Sequence, residues 1–188
     1  DSGSWPLRFV YLILLLAIIS GIIYRTNYKL KRRRSGKFYV KEVKSEVSDT
    51  FSLILKPEKP FSFKAGQFCF LRLNKDKLYA RHPFTVASAP GEADLRFTFK
   101  LTGRFTKALS ELKKGEEIIV DGPCGIFTIE DDVKNLVFIA GGVGITPFMS
   151  IIKDRLEDHK TQKIILLYGS RTEADIIYRE QLDSIKSD

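Results

Sequence analysis

The run WPLRFVYLILLLAIISGIIY, Trp5 to Tyr24, constrains this chain more than any other stretch. Between Phe9 and Tyr24 only Ser20 and Gly21 interrupt the apolar residues. A helix of about 20 residues spans the roughly 30 Å of bilayer hydrocarbon, and Trp5, Tyr11, Tyr24 and Tyr28 put aromatics near both interfaces. A secretory signal peptide would carry its charges before the apolar run and a small-residue cleavage site after it. Here the order is reversed, because KLKRRRSGK follows. A buried core helix is the other alternative. The sequence favours a transmembrane helix with its flanks over residues 1–28 and a basic cytoplasmic linker over 29–37. Lys and Arg are retained on the cytoplasmic side, so everything from Phe38 onward is expected to face the cytosol from the cell membrane. The basic run is also placed to meet anionic lipid headgroups of the bilayer.

The net charge of +8 would suggest nucleic acid if it were spread over a folded face, but it is not. Residues 1–37 carry Arg8, Arg25, Lys29, Lys31, Arg32, Arg33, Arg34 and Lys37 against Asp1, and the rest of the chain sums to +1. A nucleic-acid partner is therefore not expected. Hydrophobic content of 44% with 29% charged residues is enough for a packed core. Cys69 and Cys124 fit no metal or redox spacing, so no metal ligands are assigned and the two read as buried thiols in a reducing compartment. No DxDxDG calcium loop is found either.

The remainder divides into two blocks. From 38 to 131 short alternating runs (KFYVKEV, TFSLILK, QFCFLRL, FTVAS, LRFTFKL, EEIIVDG) are separated by turn material, which predicts an antiparallel β-barrel or sandwich. From 132 to 188 the pattern alternates between strand and helix. NLVFIA and KIILLYGS read as buried strands, FMSIIKDRLED as an amphipathic helix and DIIYREQLDSI as the beginning of another. This predicts part of an α/β nucleotide-binding domain on a parallel sheet, with further strands expected beyond Asp188.

Several motifs carry chemistry. AGGVGITP, Ala140 to Pro147, lies where a strand ends and a helix begins, so its glycines allow close backbone approach and the free N–H groups favour phosphate. It is not GxGxxG, and by itself it is equally a tight turn with no ligand. YGSR, Tyr168 to Arg171, ends the next strand, where ligands of open parallel sheets bind. Arg171 is a candidate for a ribose 2′-phosphate, or else a solvated loop arginine. In LTGRFTKAL, Gly103 and Thr106 again precede a helix start, with Lys100, Arg104 and Lys107 adding charge or simply being solvated. The stretch RHPFTVASAP, Arg81 to Pro90, holds a histidine that would alone be read as incidental.

Taken in order, AGQF, HPFT, GRFT, VDGPCGIF, GGVGITP and YGSRTEADIIY resemble the ferredoxin–NADP reductase-like flavoproteins over about residues 38–188. His82, Pro83, Phe84 and Thr85 stand where soluble members have Arg-x-Tyr-Ser/Thr, and this variant resembles the branch of membrane NADPH oxidases and ferric-chelate reductases. The resemblance implies an FAD-binding barrel followed by an NADPH-binding domain. Phe84 would lie against the isoalloxazine, the catalytic Thr85 hydroxyl near its N5, and His82 against the ribityl or phosphate part, with Pro83 keeping the strand extended. Gly103, Phe105 and Thr106, with Lys100 nearby, would serve the FAD pyrophosphate. Gly141, Gly142, Gly144, Thr146 and Pro147 would serve the nicotinamide nucleotide, with Ser170 and Arg171 at its 2′-phosphate. Ala65 departs from the family's proline before Gly-Gln, and Cys124 from its common aromatic.

In such proteins NADPH gives hydride to FAD, and electrons pass to hemes in transmembrane helices and on to oxygen or ferric iron. Heme needs axial ligands, usually His, and the histidines here are His82 and His159, neither in the apolar run. Heme helices are thus expected to precede Asp1 in the same polypeptide, with oxygen as the expected acceptor. A cytochrome b5 reductase-like enzyme would keep Arg-x-Tyr-Thr instead.

Overall fold

The computed structural model describes residues 5–32, 35–74, 78, 80–130, 132–157 and 163–185. The chain separates into two compact units, 1–34 and 35–188. In the first, α1 (Trp5–Arg32) is a single helix whose segment Arg8–Thr26 is long and apolar enough to cross a membrane. The helix carries on past the apolar run through Lys29–Arg32. Arg33, Arg34 and His159 lie outside the described residues.

The second unit opens with an antiparallel barrel built from β1 (Ser35–Val47), β2 (Thr50–Pro57), β3 (Phe68–Arg72), β4 (His82–Thr85), β5 (Leu95–Lys100) and β6 (Glu117–Cys124). Their hydrogen-bonded order is β4-β3-β6-β1-β2-β5. β1 begins three residues before Phe38: Ser35, Gly36 and Lys37, read from sequence as linker, pair with Asp121, Val120 and Ile119. Alternation fills the interior, since each strand sends every second side chain inward. Phe38, Val40, Leu53, Leu55, Leu71, Phe97, Phe99, Ile118 and Val120 are all buried there. Each is worth roughly 1.5–3 kcal/mol of transfer free energy.

The two ends of the sheet meet only briefly. Val86 bridges Phe97, and the Ala87 N–H donates to the Arg96 carbonyl at 2.8 Å. Before that point β4 pairs, among the described residues, with β3 alone, so a seam stays open between β4 and the far half of β5. Across it lies α2 (Arg104–Ser110), which buries Phe105 and Leu109.

The α/β block holds β7 (Asn135–Gly141) parallel to β8 (Lys163–Gly169), α3 (Thr146–Glu157) and α4 (Arg179–Ile185). α3 covers one face of the pair, with Phe148 stacked on Phe138 at 4.6 Å. The opposite face keeps Val137, Ile139, Ile165 and Leu167 exposed at 61, 74, 42 and 55%. NLVFIA and KIILLYGS are thus buried on one side only among the described residues, because α3 is the layer that covers them.

Helix α4 starts four residues later than the apolar pattern from Asp175 predicts. The cause is Tyr178, which adopts φ 62°, a conformation that costs a bulky residue free energy and ends helical continuity before it. Its ring is buried, and its hydroxyl bonds Thr98 on β5, which in turn shares a hydrogen bond of 2.5 Å with Ser52 on β2. Together with the Ser150 hydroxyl donating to the Ser88 carbonyl at 2.7 Å, this fastens the α/β block to the barrel.

Gly66 of AGQF holds φ +90°, and a Cβ there would stand 2.1 Å from the Phe127 carbonyl oxygen. Gly66→Ala should cost at least about 2–3 kcal/mol in denaturant unfolding, because backbone cannot step aside as a flexible side chain does. Burial pushes the Tyr178 phenol up to about 12 from its ordinary 10.0. The unfolded chain ionises first as pH rises, so stability should fall between pH 10 and 12, by an amount on the order of 2 kcal/mol from this group. Tyr178→Phe should lose about 1 kcal/mol at neutral pH and flatten that alkaline fall, as measured by urea titrations across the pH range.

Candidate functional site

The open seam gathers the HPFT residues. His82 and Phe84 share one face of β4, because side chains alternate along a strand. The His82 ring stacks on Phe105 at 3.9 Å and 23°, and Phe84 lies nearly parallel to Phe105 at 6.1 Å and 17° while meeting Phe99 edge-on. His82 and Phe84 are half-buried, so each leaves ring surface for a ligand. Pro83 and Thr85 face the other way, paired with Phe70 and Phe68. Pro83 suits this edge, where a missing N–H costs no ladder bond. The half-buried Thr85 hydroxyl makes no hydrogen bond among the described residues.

Across the seam the Thr106 hydroxyl organises the turn into α2. It accepts from the Thr102 and Gly103 N–H groups at 3.0 and 3.1 Å and donates to the Gly103 carbonyl at 3.0 Å. Thr106 is spent on holding the loop, which leaves the N–H groups of Arg104 and Phe105 at the helix start. A Cβ on Gly103 would meet nothing within 4 Å, so the turn presents open backbone. A flat heteroaromatic ring with a phosphate tail fits these residues: parallel aromatic faces and an unpaired strand edge at one end, an open glycine turn at the other. FAD has that shape.

The second gathering of residues lies at the carboxyl ends of β7 and β8. Gly141 ends β7 opposite Gly169, Gly142 takes φ +49°, and Gly142–Ile145 form a 3₁₀ turn that runs into α3 at Thr146 and Pro147. The Thr146 hydroxyl donates to the Val143 carbonyl at 3.1 Å, and Tyr168 donates to the Gly142 carbonyl at 3.0 Å while accepting the Ile177 N–H at 3.3 Å. Tyr168 therefore props the glycine turn. Burial raises its phenol above the ordinary value, so it stays a donor. A Cβ on Gly142 or Gly144 would meet nothing within 4 Å.

A cleft of about 270 Å³ opens beside this turn, lined by Gly142, Ser170 and Arg171 from the α/β block and by Asp49, Thr50 and Lys100 from the barrel. Ser170 donates to the Thr172 carbonyl at 2.8 Å. Lys100, expected with Gly103 and Thr106 at the flavin, is instead paired with Asp49 at 2.7 Å in this cleft, since it ends β5 on the side of the β1–β2 turn. Arg171 stands 3.6 Å from the same carboxylate. Glycine backbone, two cations and an open cleft suit a phosphorylated nucleotide.

Cys69 is buried in the barrel, where desolvation pushes its thiol up to about 12, and Cys124 is half-buried. Neither belongs to the two gatherings. Sequence reasoning missed Asp49, Tyr168 and Tyr178. The first is an ordinary turn residue in the sequence, and the other two take their roles from contacts 9 to 80 residues away.

The family model described as FAD-binding domain matches residues 35–128, half of the chain, and the oxidoreductase NAD-binding domain matches 138–188. An NAD(P)H-flavin reductase of Aliivibrio fischeri is 32% identical over 157 residues, covering 78% of this chain and 65% of that protein. A glycine betaine monooxygenase reductase subunit of Pseudomonas aeruginosa is 31% identical over 165 residues, 81% of this chain and 44% of its own length. The crystal structure of the Amycolatopsis cytochrome P450 reductase GcoB superposes with a TM-score of 0.73 at 27% identity, covering 81% of this chain and 48% of that one. A ferredoxin NADP+ reductase from Neisseria gonorrhoeae with bound FAD and NADP shares the fold at 22% identity and a TM-score of 0.72. The chain thus spans less than half the length of some of the proteins it matches. FAD and a nicotinamide nucleotide are the cofactors that these two oxidoreductase domains take, and the chain belongs to the FAD-binding domain family, on a ferredoxin–NADP reductase-like fold.

Proposed function

We propose that the chain is the electron-input part of a membrane-bound flavoprotein oxidoreductase. It takes electrons from NADPH and passes them through FAD to hemes held by transmembrane helices upstream in the same polypeptide. Oxygen is reduced to superoxide on the far side of the cell membrane. The observation that carries this reading is HPFT on the open barrel edge, with a histidine stacked on Phe105, in a chain whose apolar α1 ends at Arg32 and whose barrel begins at Ser35.

FAD supplies hydride acceptance and single-electron release when bound. The chain's own residues bind and orient. Phe84 and His82 offer ring faces, the turn ordered by Thr106 offers backbone donors to phosphate, and Thr85 offers a hydroxyl at the end of β4 that bonds no described residue. Arg171 and Lys100 supply positive charge for the nucleotide. His82 is committed to its stack in the barrel, so no heme ligation is assigned to the described residues.

A second reading is a singly anchored reductase that hands electrons to a separate protein. It is favoured by those matched relatives that carry the names of monooxygenase reductase components, such as the glycine betaine and propane monooxygenase reductases. A ferric-chelate reductase shares the first reading's internal path and differs in the acceptor.

The visible spectrum of the complete polypeptide in detergent with FAD, before and after anaerobic NADPH, tests these readings. The first predicts flavin bleaching with sharpened heme bands, and bleaching without heme favours the second. No bound flavin would overturn both. Phe84→Ala combined with His82→Ala should lower FAD retention about tenfold or more, two lost aromatic contacts being worth at least that. Thr85→Val should keep the flavin and slow its anaerobic reduction about tenfold, the cost of one hydrogen bond, as read by stopped-flow absorbance.

A further inference from the structure

The carboxylate of Asp49 occupies the cations that make the cleft attractive to phosphate. It accepts from Lys100 Nζ at 2.7 Å, lies 3.6 Å from the Arg171 guanidinium and accepts from the Thr50 hydroxyl at 3.0 Å. The hydrogen bond from Lys100 is the main cause holding its carboxyl below the ordinary range, so it is charged at neutral pH. Its position is fixed by the fold as well, because its own carbonyl accepts the Leu101 N–H at 2.8 Å and ties the β1–β2 turn to the end of β5.

The barrel thereby reaches into a cleft whose floor is the glycine turn of the α/β block. Asp175 also lines that cleft, but its carboxylate is taken up by the Thr172 hydroxyl at 2.9 Å. Among the described residues, Asp49 is the carboxylate in the cleft that both cations face.

We propose that Asp49 is a specificity-determining residue for the nucleotide: by counter-charging Lys100 and Arg171 it weakens the cleft for a 2′-phosphorylated adenosine relative to an unphosphorylated one. The inference rests on the reading of this cleft as the nucleotide site and goes beyond it in naming what sets the preference. A phosphate dianion entering the cleft meets two cations already paired and a fixed negative charge beside them. A ribose hydroxyl meets no such repulsion and finds in a carboxylate an acceptor. The chain therefore takes both nucleotides with a smaller gap than Arg171 alone would give. Both ion pairs are partly solvent-exposed, so the effect is moderate and screened by salt.

The test is the affinity of the complete chain in detergent for 2′,5′-ADP and for 5′-AMP, by calorimetry at low and high salt. Asp49→Asn keeps the shape and removes the charge, and Asp49→Ser repeats the removal with a shorter side chain. Both should raise the affinity ratio of 2′,5′-ADP to 5′-AMP about three- to fivefold at low salt, with a smaller rise at high salt. An unchanged or reduced ratio in both variants overturns the proposal while leaving the cleft as a nucleotide site. Arg171→Ala separates the two ideas: it should lower the ratio in the otherwise native chain. If the unaltered chain binds neither nucleotide, the reading of the cleft fails and the proposal falls with it.

Discussion

The structure turns on a barrel that almost closes. Val86 and Ala87 join β4 to Phe97 and Arg96 on β5, and beyond that contact the two strands part. A fully closed barrel would spend the edge of β4 on ladder hydrogen bonds and leave no room for a planar ligand. The parting instead exposes an edge with a proline in it, flanked by His82 and Phe84 on one side and by the turn into α2 on the other. The core pays for this opening through the remaining five strand pairings, which bury Leu53, Leu55, Leu71 and Phe97 completely.

The same bridge region carries the α/β block. Ser88, two residues beyond Val86, accepts the Ser150 hydroxyl from α3, and Thr98, beside Phe97, bonds Tyr178. The seam and the glycine turn are thus positioned by neighbouring residues of β4 and β5 rather than by separate scaffolds. The turn itself is propped by Tyr168, and the cleft beside it is shared with the β1–β2 turn of the barrel.

Much of this was legible in the sequence, for identifiable reasons. Strands of the barrel show in their alternation, because half of each strand faces a core, and β7 and β8 show in their apolar runs. HPFT and GGVGITP were readable because their glycine, proline and aromatic residues sit in fixed order. The neighbour of Lys100 was not legible because a strand end looks the same whichever way its side chain turns; Asp49, 51 residues earlier in the chain, pairs with it. The late start of α4 was hidden because DIIYREQLDSI keeps helical periodicity through Tyr178, while the left-handed backbone there accompanies a buried ring whose hydroxyl bonds Thr98, 80 residues away.

The seam between β4 and β5 is the place proposed for the flavin. Amide hydrogen exchange of the complete chain in detergent, with and without saturating FAD, tests that placement directly. Added protection should concentrate in residues 82–86 and 102–106, with the β1–β2 hairpin unchanged away from its turn. Protection confined to other strands, or none on addition of FAD, would contradict the placement.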